Sequence, residues 1–488
     1  MPTADDIAYA SIPTLAGWYR DGILTPEDAV RSMLERIERF DPAIRAFIHV
    51  AGARALRDAS VATRELAAGH DRGPLHGVPY AVKDTMAVAS MPTTHGTHAL
   101  PVEWPERDAT VVARLRDAGA VCLGKLNLHE LGAGGTVVFP FGEPRNPWNL
   151  DHVAESSSSG SGSAVAAGFC TFSVGEDTGG SIRGPAAANG VAGLRPTFGR
   201  VSRYGVLCHG WNAATIGPLA RSAAEVAAVL RVVAGHDPAD PLSSRRPVAA
   251  IEFSRRPHLR GIRVGIIAAL MAPASLHADV VRSLNGAVDT FVALGAEIVD
   301  VEVPGADHAV TLQLITAGDG APAAHPRGWW SNRYAQLDQA TRTRMAAAAL
   351  VPTRVYLRAM RARAIVRARV LEALGSVDVL LAPTAEGPAR RVLAAATTDG
   401  DGNTSTIERA FPSRRASKLF SIANVPALAI PIAPASNGLP LSLQLAAKPF
   451  AEATVLRVAH AFQSVSGWHT LHPDVERVVA RYEAGRVA

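Results

Sequence analysis

Lysine is nearly missing from this chain: of 49 basic residues in 488, only Lys83, Lys125, Lys418 and Lys448 are lysines. Any chemistry that needs an amine side chain therefore has four candidates. Cysteine is equally scarce. Cys122, Cys170 and Cys208 are too few and too scattered for a disulfide framework or a zinc site, and they suit a reducing compartment. Charge of one sign is lacking as well: 49 basic against 44 acidic residues leave +5 over the whole length, too weak an asymmetry to indicate a nucleic acid partner. No apolar run reaches the ~20 residues that cross a bilayer, so no membrane partner is expected. The opening "MPTADDIAYASIPTLAGWYRDG" has no basic stretch followed by an apolar one, which argues against a secretory signal and leaves the cytoplasm as the expected location. No repeat of 20–50 residues is evident.

What the chain does have is apolar residues, 48% against 19% charged, the balance of a compact globular protein with a large core. Thr25 and Pro26, followed by Glu27 and Asp28, signal the start of a helix whose apolar face is Val30, Met33, Leu34 and Ile37. "IRVGIIAAL" (262–270) reads as a buried strand. Val280, Leu284, Val288 and Phe291 follow at helical spacing, and "AEIVDVEV" (296–303) alternates like a strand. Strand, helix, strand with short connections is a βαβ unit, which implies parallel pairing and an α/β fold. "SVDVLLAPT" (376–384) and "VPALAIPIAP" (425–434) read as further buried strands. "RVYLRAMRARAIVRARV" (354–370) reads as a surface helix, and "TTDGDGNTST" (397–406) as a loop whose Asn403 sequon is a chance match without a secretory signal.

Several motifs fail by one residue. Gly119 to Lys125 is followed by Leu126 where a phosphate loop needs a hydroxyl. Gly160 and Gly162 are followed by Val165 where a dinucleotide fingerprint needs glycine. Arg183 stands where a nucleophile elbow around Ser181 needs glycine. No second histidine completes a zinc helix after His129 and Glu130, and the 16 histidines show no metal-ligand clustering. In "GEDTGGSIRGPAAANGVAGLRPTFGRVSRYGV" (175–206), Thr178-Gly179-Gly180-Ser181 sets a hydroxyl after two residues without a Cβ. Such a turn lets backbone N–H groups converge on one point, as an oxyanion beside an attacking serine requires.

That stretch resembles the signature of the amidase signature family, serine hydrolases with a Ser–Ser–Lys triad. "LHGVPYAVKD" (75–84), "MPTTHGTHAL" (91–100), "GKLNLHELG" (124–132), "FGEPRNPWN" (141–149) and "IGPLARSAAEVA" (216–227) fall in the family's order, and "NVPALAIPIAP" and "GWHTLHP" extend the likeness towards the C-terminus. The resemblance implies a large mixed, largely parallel central β-sheet covered by helices on both faces. It implies one domain over 1–488: an N-terminal helical region (1–70), a signature core (70–235) and an α/β remainder with substrate-pocket loops (236–488). Ser181 is then the nucleophile, Ser157, 24 residues earlier, the bridging serine after a cis peptide bond, and Lys83 the base. The N–H groups of Thr178, Gly179, Gly180 and Ser181 hold the oxyanion, Asp177 and Arg183 brace the turn, and Ser158 supports it. A serine hydroxyl needs a neighbour to take its proton. Lysine can do so only when neutral, and its ordinary pKa leaves about one side chain in 2,500 neutral at pH 7. Burial must therefore recover on the order of 4–5 kcal/mol, and the apolar setting of Lys83 is consistent with that.

The resemblance further implies amide hydrolysis through an acyl-enzyme, on a small-molecule amide, with ester or carbamate side activity in reach. It implies no cofactor and no metal, and leaves a homodimer open. A glutaminase subunit of a tRNA-dependent amidotransferase and a catalytically lapsed binding protein remain as alternatives. The chain departs from the family where G-G-S-S-G-G-S is usual: Glu155, Ser156 and Ser159 replace three glycines. A carboxylate at Glu155 faces solvent, or else points inward to contact substrate or raise the pKa of Lys83. "CHGWNAATIGP" (208–218) also departs, which makes Trp211 a second candidate substrate contact.

Overall fold

A computed structural model describes residues 1–487 apart from 209, 272–273, 275, 317–332 and 393–413. The loop expected at 397–406, with Asn403, lies outside the described residues. The strands in chain order are β1 (Phe47–Val50), β2 (Pro79–Lys83), β3 (Val121–Leu126), β4 (Arg145–Asn146), β5 (Asn149–Val153), β6 (Phe172–Asp177) and β7 (Ala192–Arg195). They continue with β8 (Thr215–Ala220), β9 (Arg263–Ile267), β10 (Glu297–Val301), β11 (Val379–Pro383), β12 (Ala427–Pro434) and β13 (Pro440–Ala446). Eleven of them form one sheet in the order β1-β3-β2-β6-β8-β7-β12-β13-β11-β9-β10, and β4 and β5 pair separately.

The sheet is mixed. Parallel pairing is concentrated in two three-strand blocks, β3-β2-β6 and β11-β9-β10, and the strands joining them run antiparallel to their neighbours. The second block contains the βαβ unit expected from 262–303, with the helix Ala278–Ala293 between β9 and β10. The strand in "IRVGIIAAL" stops at Ile267, and Ala268–Met271 turns into a short helix. Alanine, leucine and methionine favour helix, and a short apolar run does not by itself separate the two states.

Strand alternation sends side chains to two cores. Along β2, Tyr80 and Val82 enter one and Ala81 the other; along β12, Leu428 and Ile430 lie opposite Ala429. The helices Thr110–Asp117, Ala223–Val233, Ala278–Ala293 and Glu452–Ser466 cover the first face. Pro26–Ile44 and Ser159–Ala166 cover the second, next to Thr353–Ser376 and Arg415–Ile422. Thr25 caps Pro26–Ile44 through a reciprocal pair with Asp28. The arginine-rich helix Thr353–Ser376 is only partly a surface helix. Arg363 is buried and donates to the Ile422 carbonyl at 2.9 Å, and Arg367 donates to that of Ala423. Both cations thus sit on the negative end of the helix Arg415–Ile422.

Candidate active site

Lys83 is the last residue of β2, and Asp177 the last of the neighbouring parallel strand β6. The turn Thr178–Ser181 leaves the same sheet end and runs into the helix Arg183–Asn189. Ser157 precedes the helix Ser159–Ala166, which packs against β2 and β6. All three expected triad residues thus lie at the carboxyl ends of adjacent parallel strands, the usual ligand side of such sheets.

Lys83 is fully buried. Its Nζ donates to Ser157 Oγ at 2.9 Å and stands 3.5 Å from Glu176 Oε2. Burial pushes the amine below the usual lysine range, and the Glu176 carboxylate pulls partway back. Glu176, buried in its turn, is pushed up by desolvation and held down by Lys83. Gly132 closes this corner: it has φ +73°, and a Cβ there would stand 3.4 Å from both Lys83 Nζ and Glu176 Oε2. Next to Lys83, Asp84 pairs with buried Lys125 at 2.6 Å and accepts from Thr94, which fixes the end of β2.

The Ser156–Ser157 peptide bond is cis. Ser158 joins the two serine loops, since its N–H donates to the Ser181 carbonyl at 3.2 Å and its Oγ donates to the Glu176 carbonyl at 3.2 Å. Ser181 is partly exposed, whereas Ser157 and Lys83 are enclosed. Access thus narrows from Ser181 towards the amine.

Asp177 is buried at the centre of the turn. Arg183 Nε donates to it at 3.0 Å, the Gly180 N–H at 2.8 Å and the Ile182 N–H at 3.2 Å, while Arg195 lies 3.5 Å away. Burial alone raises a carboxyl pKa, but Arg183 and Arg195 outweigh it and hold Asp177 well below the usual range. The Gly180 N–H, expected to face an oxyanion, is therefore already given to Asp177. The N–H groups of Thr178, Gly179 and Ser181 have no acceptor among the described residues.

Glu155 neither faces solvent freely nor reaches Lys83; the carboxylate beside Lys83 is Glu176. Glu155 instead pairs with Arg414, and more distantly with Arg390 at 3.9 Å. Burial would raise its pKa, yet Arg414 and Arg390 bring it down to about 2. Its backbone has φ +63°, a conformation that favours glycine. Ser156 Oγ accepts from Arg414 at 3.3 Å, and the Ser159 hydroxyl is buried without a hydrogen-bond partner among the described residues. Trp211 is 67% exposed; its carbonyl accepts from Arg203, whose guanidinium lies over its ring.

Glu176, Arg414 and Gln313 were not singled out from the sequence. Gln313 is buried and packs so close to Gly179 that a Cβ there would stand 2.8 Å from its amide nitrogen. Glu176 lies within the signature stretch, so an acidic residue near the end of a buried strand is the signal the sequence offers. Arg414 and Gln313 lie far along the chain, where only the fold brings them near. Lys418, also buried, has its pKa pushed down by burial, and then by Arg414, to about 7. Among the described residues no three His, Cys, Asp or Glu side chains gather as a metal site, and no helix is long and apolar enough to cross a membrane.

A buried lysine, two serine loops joined through Ser158 and a glycine-rich turn lie together at the end of a mixed sheet, the arrangement that the resemblance to the amidase signature family implies. The amidase family model matches residues 28–456, and the chain belongs to that family, whose members act on C–N bonds. It is 36% identical to a glutamyl-tRNA(Gln) amidotransferase subunit of Geobacter metallireducens, over 92% of this chain and 95% of that one. The native peptide amidase of Stenotrophomonas maltophilia superposes with a TM-score of 0.76 at 31% identity, covering 94% of this chain and 97% of its own. The corresponding glutamyl-tRNA(Gln) amidotransferase subunit of Thermotoga maritima has a TM-score of 0.76 at 25% identity, covering 97% of each chain.

Proposed function

We propose that the chain hydrolyses a small-molecule amide through an acyl-enzyme on Ser181. The observation that carries this reading is the 2.9 Å hydrogen bond from the enclosed Lys83 amine to Ser157 Oγ. Neutral Lys83 takes the Ser157 proton as Ser157 takes that of Ser181. Ser181 Oγ bonds to the amide carbon, and the carbonyl oxygen gains the negative charge. The N–H groups of Thr178, Gly179 and Ser181 receive that oxyanion, and the Gly180 N–H keeps the turn in shape by holding Asp177. The proton returns through Ser157 to the leaving nitrogen as the C–N bond breaks. Water then attacks the acyl group with the same relay as base.

Linear amides are the proposed substrate class, with esters and carbamates as side reactions, because the same relay serves any carbonyl that accepts an oxygen nucleophile. The proposal needs no cofactor, metal, nucleic acid or membrane. The free thiols of Cys122, Cys170 and Cys208 suit a reducing, cytoplasmic setting. A second reading, a glutaminase that works within a complex of several chains, is favoured by the name of the 36% identical relative.

Purified chain incubated with an amide panel and a serine-reactive fluorophosphonate separates these readings. Turnover of simple amides by the chain alone, with labelling lost in Ser181→Ala, is the expected result. Glutamine turnover that appears only with partner chains would move the assignment to the second reading. Absence of turnover and of labelling would leave a binding protein.

A further inference from the structure

We propose that Arg414, held by Glu155, is a positioning residue that sets the relative placement of Ser157 and Ser181; the inference rests on the roles proposed for those serines. The guanidinium is buried, and its Nη1 donates to the Ser156 carbonyl at 2.7 Å and to the Gly180 carbonyl at 3.2 Å. Each of these carbonyls belongs to the peptide unit immediately ahead of a serine of the triad. One planar cation therefore grips both serine loops at equivalent points. Its second nitrogen, Nη2, donates to Ser156 Oγ at 3.3 Å and to the Glu155 carboxylate.

A carboxylate counter-charge offsets a buried guanidinium's loss of water more fully than carbonyl oxygens do. Glu155 supplies it. The other nearby carboxylate, Glu386, accepts the backbone N–H groups of Arg414 and Arg415, each at 3.2 Å. Both partners are held in left-handed backbone conformations, φ +63° at Glu155 and +35° at Arg414. Gly184 completes the fit, since a Cβ there would stand 2.5 Å from the Arg414 guanidinium carbon. Positions 155, 184 and 414 thus form one unit. The carboxylate that replaces a glycine is the anchor of a clamp, and the cation it anchors fills the space left by the missing side chain of Gly184.

The test compares the full-length wild type with Arg414→Ala, Glu155→Gln and the double variant. The readouts are the rate of Ser181 labelling, kcat and KM on the best amide of the panel, and the thermal midpoint. Loss of the clamp misplaces the serines without touching substrate, so Arg414→Ala should lower the labelling rate and kcat about 100-fold with KM little changed. Glu155→Gln should give a smaller loss in the same parameters and add nothing in the Arg414→Ala background. Added guanidinium ion should restore labelling to Arg414→Ala, less so to the double variant. Wild-type labelling by Arg414→Ala, losses that multiply in the double variant, or a loss accounted for by the unfolded fraction would each overturn the proposal. If Arg414→Ala does not fold, Arg414→Lys takes its place in the same cycle. Ser181→Ala keeps the two ideas apart: labelling that survives in it overturns the nucleophile assignment, whatever Arg414 does.

Discussion

Lys83 Nζ and Glu176 Oε2 stand 3.5 Å apart, on side chains that are 0% and 4% exposed. The pair has opposing effects on the amine: burial favours its neutral, basic form, and the carboxylate favours the ammonium. The proposed mechanism requires neutral Lys83, so activity should rise with pH through the lysine pKa. Glu176→Gln removes the group that raises that pKa. The acid limb of kcat/KM should therefore move to lower pH, while an unmoved limb would show that Glu176 does not act on the base.

Removal of the proposed base or the proposed relay should lower the chemical step without a matching loss of fold. For Lys83→Met and Ser157→Ala a drop in kcat of about 10²–10⁴-fold is expected, the range of a lost general acid–base group. Steady-state kinetics beside circular dichroism checks this.

Asp177 should matter to stability as well as to activity. Asp177→Asn leaves Arg183 and Arg195, both fully buried, without their carboxylate. Breaking a buried ion pair from one side costs about 3–5 kcal/mol. Chemical denaturation should show a loss of that order. Because the two arginines hold Asp177 ionised far into the acid range, wild type should keep this network at pH values where ordinary carboxylates protonate.

Gly132→Ala tests the close corner around the amine. A non-glycine residue at φ +73° costs about 1–2 kcal/mol, and the added methyl meets Lys83 Nζ and Glu176 Oε2. Unfolding measurements should show that loss, together with a fall in kcat larger than any change in KM.

Much of this arrangement was legible in the residue order. Lys83 in an apolar strand, the turn Thr178–Ser181 and the serine run are local features, and local features survive in sequence. The sheet's second half was visible through the alternation in 296–303 and the apolar runs at 376–384 and 425–434. Glu155 was recognisable as a departure but not as a partner, because its counter-charge Arg414 lies 259 residues away. The same distance problem hid Gln313. The Gly180 N–H is ambiguous in sequence for a different reason: an N–H group in a tight turn can face inward or outward, and only the position of Asp177 decides which.

The scarcity of lysine has a practical side. Lys83, Lys125 and Lys418 are buried, and Lys448 alone is exposed. Arginine does not react with amine-directed reagents as lysine does, so the many guanidinium groups of the surface are silent in such chemistry. A dye, resin or cross-linker aimed at lysine should attach to the folded protein at Lys448, on the loop after β13, and leave Lys83 untouched. The molecule thus comes with a single side-chain handle for oriented immobilisation.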